Sequence, residues 1–348
     1  MTASFEFRLP LEFNLFMGLC MKKKFHPGIL ARNPHLQSMV ATSPVRNIGR
    51  NPMEDAAQES IMEGGNGIRL LGYRSCQPQT KSKGLVILIH GWEGSSHSAY
   101  ILSTAKYLFG KGYDIFRLNL RDHGESHHLN EGLFHGALIG ETFQVVKNIC
   151  QQSNDLPAYL VGFSLGGNFA LRIALRQRTS RIFNLKHVFS ISPALDPYKA
   201  TVCIDESLPF YRLYFLKKWK KSLRKKQSLF PEKYDFNGVL DHRTCLALTE
   251  AIMPWYPEFT DYRSYFKGYT LLNGAFKELS MPVTIIISED DPFIPVDDFL
   301  SLEKNPNLHL LIQRYGGHCG FLDFFPYVCW YEKLIDRIIR KEIEQKDR

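Results

Sequence analysis

The sequence predicts an α/β fold built on a mostly parallel sheet. Three observations predict it. Short apolar runs rich in Leu and β-branched residues recur along the chain, helical patterns fall between several of them, and one long stretch, 196–281, lacks any such run. Runs that are apolar on both faces read as strands buried from both sides, and their alternation with helices is the signature of crossover connections in a parallel sheet.

In chain order, residues 1–57 form an N-terminal arm of mixed composition. Asn66-Gly67 between 60–63 and 68–73 predicts an antiparallel hairpin, because both residues tolerate the positive φ of a tight turn. Buried strands follow at 85–89 (LVILI), 115–119 (IFRLN), 158–162 (AYLVG), 188–192 (VFSIS), 283–288 (VTIIIS) and 308–313 (LHLLIQ). Helical patterns cover 98–109, 138–151, 168–178, 296–303 and 327–343. The core therefore divides into 58–195 and 282–348, with 196–281 as a helical lid or cap between them. Insertions of that size between sheet strands commonly cover an active site.

Composition narrows the classes of function. A chain of 348 residues with 44% hydrophobic and 22% charged residues is globular, which excludes a disordered or fibrous protein. Its net charge of +8 directs attention to anionic partners: a phospholipid surface, nucleic acid or an acidic substrate. Seven cysteines, at 20, 76, 150, 203, 245, 319 and 329, include no C-x-x-C pair, so neither a disulfide scaffold nor a zinc site is expected. A reducing cytoplasm fits this usage. The apolar run 13–21 is broken by Asn14 and Gly18 and falls short of the ~20 residues a membrane span needs; neither a signal peptide nor a transmembrane helix is expected.

Gly162-Phe163-Ser164-Leu165-Gly166 directly follows a predicted strand and directly precedes a predicted helix. That context marks a nucleophile elbow, a turn so sharp that residues two before and two after the serine must lack side chains. A serine hydroxyl needs a base, and the base needs an orienting carboxylate. Asp291 and His318 follow in the order Ser, Asp, His, each just beyond a strand, on the sheet edge where ligands of parallel sheets bind. Asp290 is the alternative acid. The loop after the strand 85–89 should supply one backbone N–H to an oxyanion hole at Trp92, and Leu165 the other. His90 is expected to brace that loop. Asp122 and His123 read as mutually satisfied loop residues more readily than as a metal site, so no metal and no cofactor are expected. The string from His318 to Asp323 matches a short acyltransfer pattern, although Asp323 could equally cap the following segment.

Seven Lys or Arg residues lie within 217–226, interleaved with Trp219 and Leu223. On a helix, Leu216, Trp219 and Leu223 share one face while the cations spread around the remainder. Lys217, Lys218, Lys220 and Lys221 are thus candidates for contact with an anionic membrane, and equally for a solvated lid face. Nothing beyond this run suggests nucleic acid.

Several strings carry a family resemblance: 32–38 (RNPHLQS), 90–98 (HGWEGSSHS), 162–168 (GFSLGGN), 290–293 (DDPF) and 316–321 (GGHCGF). The chain resembles the α/β-hydrolases, and within them the YheT-like branch of predicted esterases related to the ABHD-type lipid hydrolases. The resemblance implies the α/β-hydrolase fold and a carboxylic ester hydrolase acting on lipid-like esters, with Ser164, Asp291 and His318 as nucleophile, acid and base. Two positions depart from the branch: Trp92 stands where leucine is usual, and 121–126 (RDHGES) follows the general superfamily. The expected function is ester cleavage through an acyl-enzyme, with an acyltransferase or a non-catalytic lipid-binding protein of the same fold as alternatives. The expected location is cytoplasmic, with possible peripheral contact with membrane.

Overall fold

The protein is described by a computed structural model covering residues 24–78, 81–153, 155–323 and 328–346. The apolar run 13–21, Cys20 and Tyr327 lie outside the described residues.

Eight strands make one sheet: β1 (Ala57–Glu63), β2 (Arg69–Ser75), β3 (Leu85–Ile89), β4 (Asp114–Leu118), β5 (Ala158–Phe163), β6 (Leu185–Ile191), β7 (Val283–Ser288) and β8 (Leu308–Gln313). Their order is β1-β2-β4-β3-β5-β6-β7-β8. The hairpin β1–β2 and the β2–β4 pair are antiparallel, and every pairing from β4 to β8 is parallel. The hairpin turns through Gly65, Asn66 and Gly67, all at positive φ, one more residue than the Asn-Gly pair alone suggests. Strands β3, β4, β5 and β7 are buried along their whole length. β8 instead alternates between buried and half-buried residues, because it is the sheet's edge strand.

Helices cover both faces of the sheet. They are α1 (Pro34–Ala41), α2 (Ala99–Phe109), α3 (Ile139–Gln151), α4 (Leu165–Arg176), α5 (Pro197–Glu206), α6 (Pro209–Leu229), α7 (Cys245–Ile252), α8 (Tyr262–Lys267) and α9 (Trp330–Lys346). α3 and α4 contribute to one buried apolar cluster and α2 and α9 to another, so the sheet is sandwiched. The helix expected at 296–303 shrinks to the single turn Asp297–Leu300. Beyond it Asn305 Nδ2 bonds the carbonyls of Phe276, Lys277 and Leu279, and Pro306 bars a continuing helix.

Between β6 and β7 lie α5 to α8, which pack on the α3–α4 side. The buried face of α6 carries Leu216, Trp219 and Leu223 as the periodicity predicts, and also Tyr211 and Lys226, the latter grouped in the sequence with the outward cations. Lys226 Nζ donates to Asp122 Oδ1 (2.8 Å) and to the Asn130 carbonyl (2.6 Å), and both partners of the ion pair are inaccessible to solvent. Burial raises the Asp122 carboxyl and lowers the Lys226 ammonium, while each partner opposes the shift of the other. The pair ties α6 to the loop after β4.

Lys226→Met should therefore destabilise the protein by about 3–5 kcal/mol in urea unfolding, because it strands a buried carboxylate. Adding Asp122→Asn, which keeps the Phe134 N–H bond but removes the charge, should recover most of that loss. Equal stability of the single variant and the parent would show that the pair contributes nothing.

Candidate active site

Ser164 sits between β5 and α4 with φ 53° and ψ −116°, a conformation that costs an ordinary residue about 1–3 kcal/mol. Its amide donates to Ile191 O (2.9 Å) on the neighbouring strand, and its carbonyl accepts from Asn168 N (3.0 Å). A Cβ on Gly162 would strike the Gly166 backbone, and one on Gly166 would strike the carbonyls of Ile89 and His90. The two glycines thus permit strand, turn and helix to pack at backbone contact.

Asp291 and His318 come together beside it. His318 Nδ1 donates to Asp291 Oδ2 at 2.9 Å, and the carboxylate also accepts the N–H groups of Phe293 (2.9 Å) and Ile294 (3.1 Å). The Asp291 side chain is wholly buried, and that of His318 is 14% exposed. Burial disfavours the imidazolium, yet the adjoining Asp291 carboxylate outweighs it and holds the ring well above its ordinary pKa. Asp290 points elsewhere: it accepts the Gly317 N–H (2.9 Å) and so fixes the loop that carries His318. Phe293 meets the His318 ring edge to face at 5.0 Å. Among the described residues no hydrogen bond joins Ser164 Oγ to His318, so the structure brings the two to one cavity without direct bonding.

The N-terminal segment completes this loop, a role the sequence does not disclose. Asn33 caps α1, and Ser38 Oγ accepts the His318 N–H (2.9 Å) while donating to Pro34 O. Gln37 spans the same turn: Nε2 donates to Ala31 O and Leu322 O, and Oε1 accepts Leu322 N–H. A side chain on Gly317 would strike Pro34 O, which accounts for the glycine there at φ 52°. The string 32–38 is visible in the sequence, but its partners lie some 280 residues away.

On the opposite side, the loop after β3 is held by Tyr100, whose hydroxyl accepts Gly91 N–H (2.9 Å). Among the described residues no protein acceptor takes the Trp92 N–H, and Leu165 N–H, at the first turn of α4, has no intrahelical acceptor. His90 Nδ1 donates to Gly91 O (2.8 Å) and Nε2 accepts Leu120 N–H (3.1 Å), so it is a neutral brace, consistent with burial holding its pKa low. His123 repeats the pattern: Nδ1 donates to Arg121 O and Nε2 accepts Glu93 N–H, with burial lowering its pKa to about 4. Both nitrogens of each ring are therefore engaged with backbone. Burial also pushes the Glu93 carboxyl up to about 8 against the pull of Lys218.

Ser164 and His318 line a cavity of about 810 Å³. Trp92 lines it, stacked on Phe215 (5.5 Å) and edge-on to Trp219 (5.1 Å), which joins the β3 loop to α6. The four lysines singled out in the sequence separate. Lys217 and Lys221 are exposed, Lys220 is half-buried, and Lys218 bends over the Tyr214 ring (5.2 Å) at the cavity wall. Asp323 is exposed beside Gly28, while the carboxylate on His318 is Asp291.

The strand order, with a sharp turn at Ser164 between β5 and α4, is that of the α/β-hydrolase fold, and residues 84–209 match the family model described as the alpha/beta hydrolase fold. The chain is similar to mouse phospholipase ABHD3, 23% identical over 270 residues that make up 74% of this chain and 63% of that protein. It is also similar to human protein ABHD15, 30% identical over 151 residues, 42% of this chain and 31% of that one. It thus spans less than two thirds of the length of either. Among solved structures, the Pyrococcus furiosus esterase PF2001 shares the fold with a TM-score of 0.56 and 16% identity, covering 84% of this chain and 95% of that one.

Burial lowers the His318 pKa, and Asp291, with a further contribution from Cys319, raises it, so Asp291→Asn removes the larger of the opposing influences and the ring's pKa should fall markedly. Asp290→Asn should leave the ring's pKa near that of the parent protein. Proton NMR titration of His318 separates the two carboxylates, and the reverse ranking would assign the pairing to Asp290.

Proposed function

We propose that the protein is a cofactor-independent serine hydrolase that cleaves carboxylic esters with lipid-like acyl groups. The observation that carries this reading is the buried Asp291–His318 pair opening onto the cavity that also contains Ser164. Ser164 Oγ attacks the ester carbonyl as His318 Nε2 takes its proton. The Trp92 and Leu165 N–H groups receive the oxyanion, and the alcohol leaves with the proton from His318. Water then repeats the sequence on the acyl-enzyme and releases the acid. Asp291 holds Nδ1–H throughout, so that Nε2 carries the lone pair in the neutral ring.

The cavity wall favours an apolar acyl group, since Trp92, Phe134, Phe215, Trp219, Phe266 and Phe293 all contribute to it. The names of the relatives, phospholipase and esterase, support the same class. Acyl transfer finds no support in the His318 to Asp323 string, because Asp323 is exposed and the carboxylate bonded to His318 is Asp291.

Ser164→Ala should lower kcat on a soluble aryl ester by about 10⁴-fold or more while leaving the unfolding transition unchanged. The rate of the parent protein should rise with pH as the His318 imidazolium, held above its usual range by Asp291, loses its proton. Retention of a tenth of the parent activity in Ser164→Ala would remove this serine from the mechanism.

A further inference from the structure

Helix α6 has an outward face as ordered as its buried one. Phe210, Leu213, Tyr214, Lys217, Lys221 and Arg224 are spaced i, i+3, i+4, i+7, i+11 and i+14, which places them along one side of the helix, and all are exposed. The first three are large and apolar, with Leu213 61% exposed; the last three are cations. No acidic residue occurs from 207 to 231.

The apolar end of this stripe borders the cavity, because Phe210 and Tyr214 line it. Met39 and Pro44 line it from the N-terminal segment, where Met39 is 46% and Val45 51% exposed. Exposed apolar side chains thus stand on both banks of the mouth above Ser164, and one bank runs on into a cationic stripe. Isolated exposed apolar residues need no explanation, but a group of them rimming a cavity marks an interaction surface. The apolar end can enter the acyl boundary of a bilayer while the lysines and Arg224 meet anionic headgroups, the amphipathic division of an interfacial helix. A second copy fits less well: with no acid on the stripe, a two-fold contact sets these cations against one another or against the apolar end.

We propose that this face docks on an anionic lipid bilayer and seats the cavity mouth on the membrane, so that a lipid enters from the surface without crossing water. Among the described residues no helix is long and apolar enough to cross a membrane. The docking face goes beyond the ester reading and is tested by binding, not turnover.

The test is flotation of the full chain carrying Ser164→Ala with phosphatidylcholine vesicles, with and without phosphatidylserine. Binding should require phosphatidylserine and weaken with salt. Lys217→Ala and Lys221→Ala should each weaken it about fivefold, and Leu213→Glu or Val45→Glu should abolish it. Leu213 and Val45 lie outside the cavity lining, so in the Ser164 background these variants should hydrolyse a soluble ester at the parent rate. Unchanged vesicle binding by Leu213→Glu, or absence of binding by the unsubstituted chain, overturns the proposal. A dimer in sedimentation that Leu213→Glu dissociates, with vesicles ignored, would assign the face to a second copy. If no form hydrolyses any ester, the reading of Ser164 fails alone, and flotation still decides the docking face.

Discussion

The close approach of three backbone segments at Gly162 and Gly166 is the constraint on which the site depends. β5 runs in the middle of the sheet, α4 must leave at once to cover it, and the loop after β3 passes against the turn. There is no volume for a Cβ at either glycine, so the chain reverses at Ser164 in a strained conformation that the surrounding packing maintains. The strain has a chemical use. It turns the chain at once from β5 into α4 and leaves the serine side chain on the cavity wall while its amide still bonds Ile191 O.

The acid and base are held by a different principle. His318 lies on a loop with several residues at positive φ, which on its own would populate many conformations. It is fixed by Asp291 on the ring, by Asp290 on the Gly317 amide, by Ser38 on its own amide and by Gln37 on Leu322 further along. The histidines nearer the front of the sheet, His90 and His123, are committed to backbone and kept neutral by burial. A buried carboxylate sits on only one of these three rings, and that ring alone has its pKa raised. Burial alone leaves His90 and His123 structural, whereas burial against the fully buried Asp291 carboxylate makes His318 the candidate base.

The parallel sheet was legible because β3, β4, β5 and β7 are buried on both faces and leave uninterrupted apolar runs. The elbow was legible because its steric demand falls on neighbouring residues of the same segment. Much of what surrounds it was not. The direction of Lys226 depends on Asp122, 104 residues earlier, and nothing in a run of seven cations distinguishes the one that turns inward. The grip of Gln37 on Leu322 spans 285 residues and involves backbone groups, which no side-chain pattern records. The helix expected at 296–303 failed because local periodicity could not register the bonds from Asn305 to the end of the inserted segment.

In the proposed function Ser164 is a nucleophile activated by a histidine whose charge depends on Asp291. Treating the unsubstituted protein with a fluorophosphonate over a range of pH and locating the adduct by peptide mass spectrometry tests it most directly. A single adduct on Ser164 is expected, formed faster as pH rises through the His318 titration and lost when His318 is replaced by Ala. An adduct on another residue, or labelling of Ser164 indifferent both to pH and to His318, would contradict it.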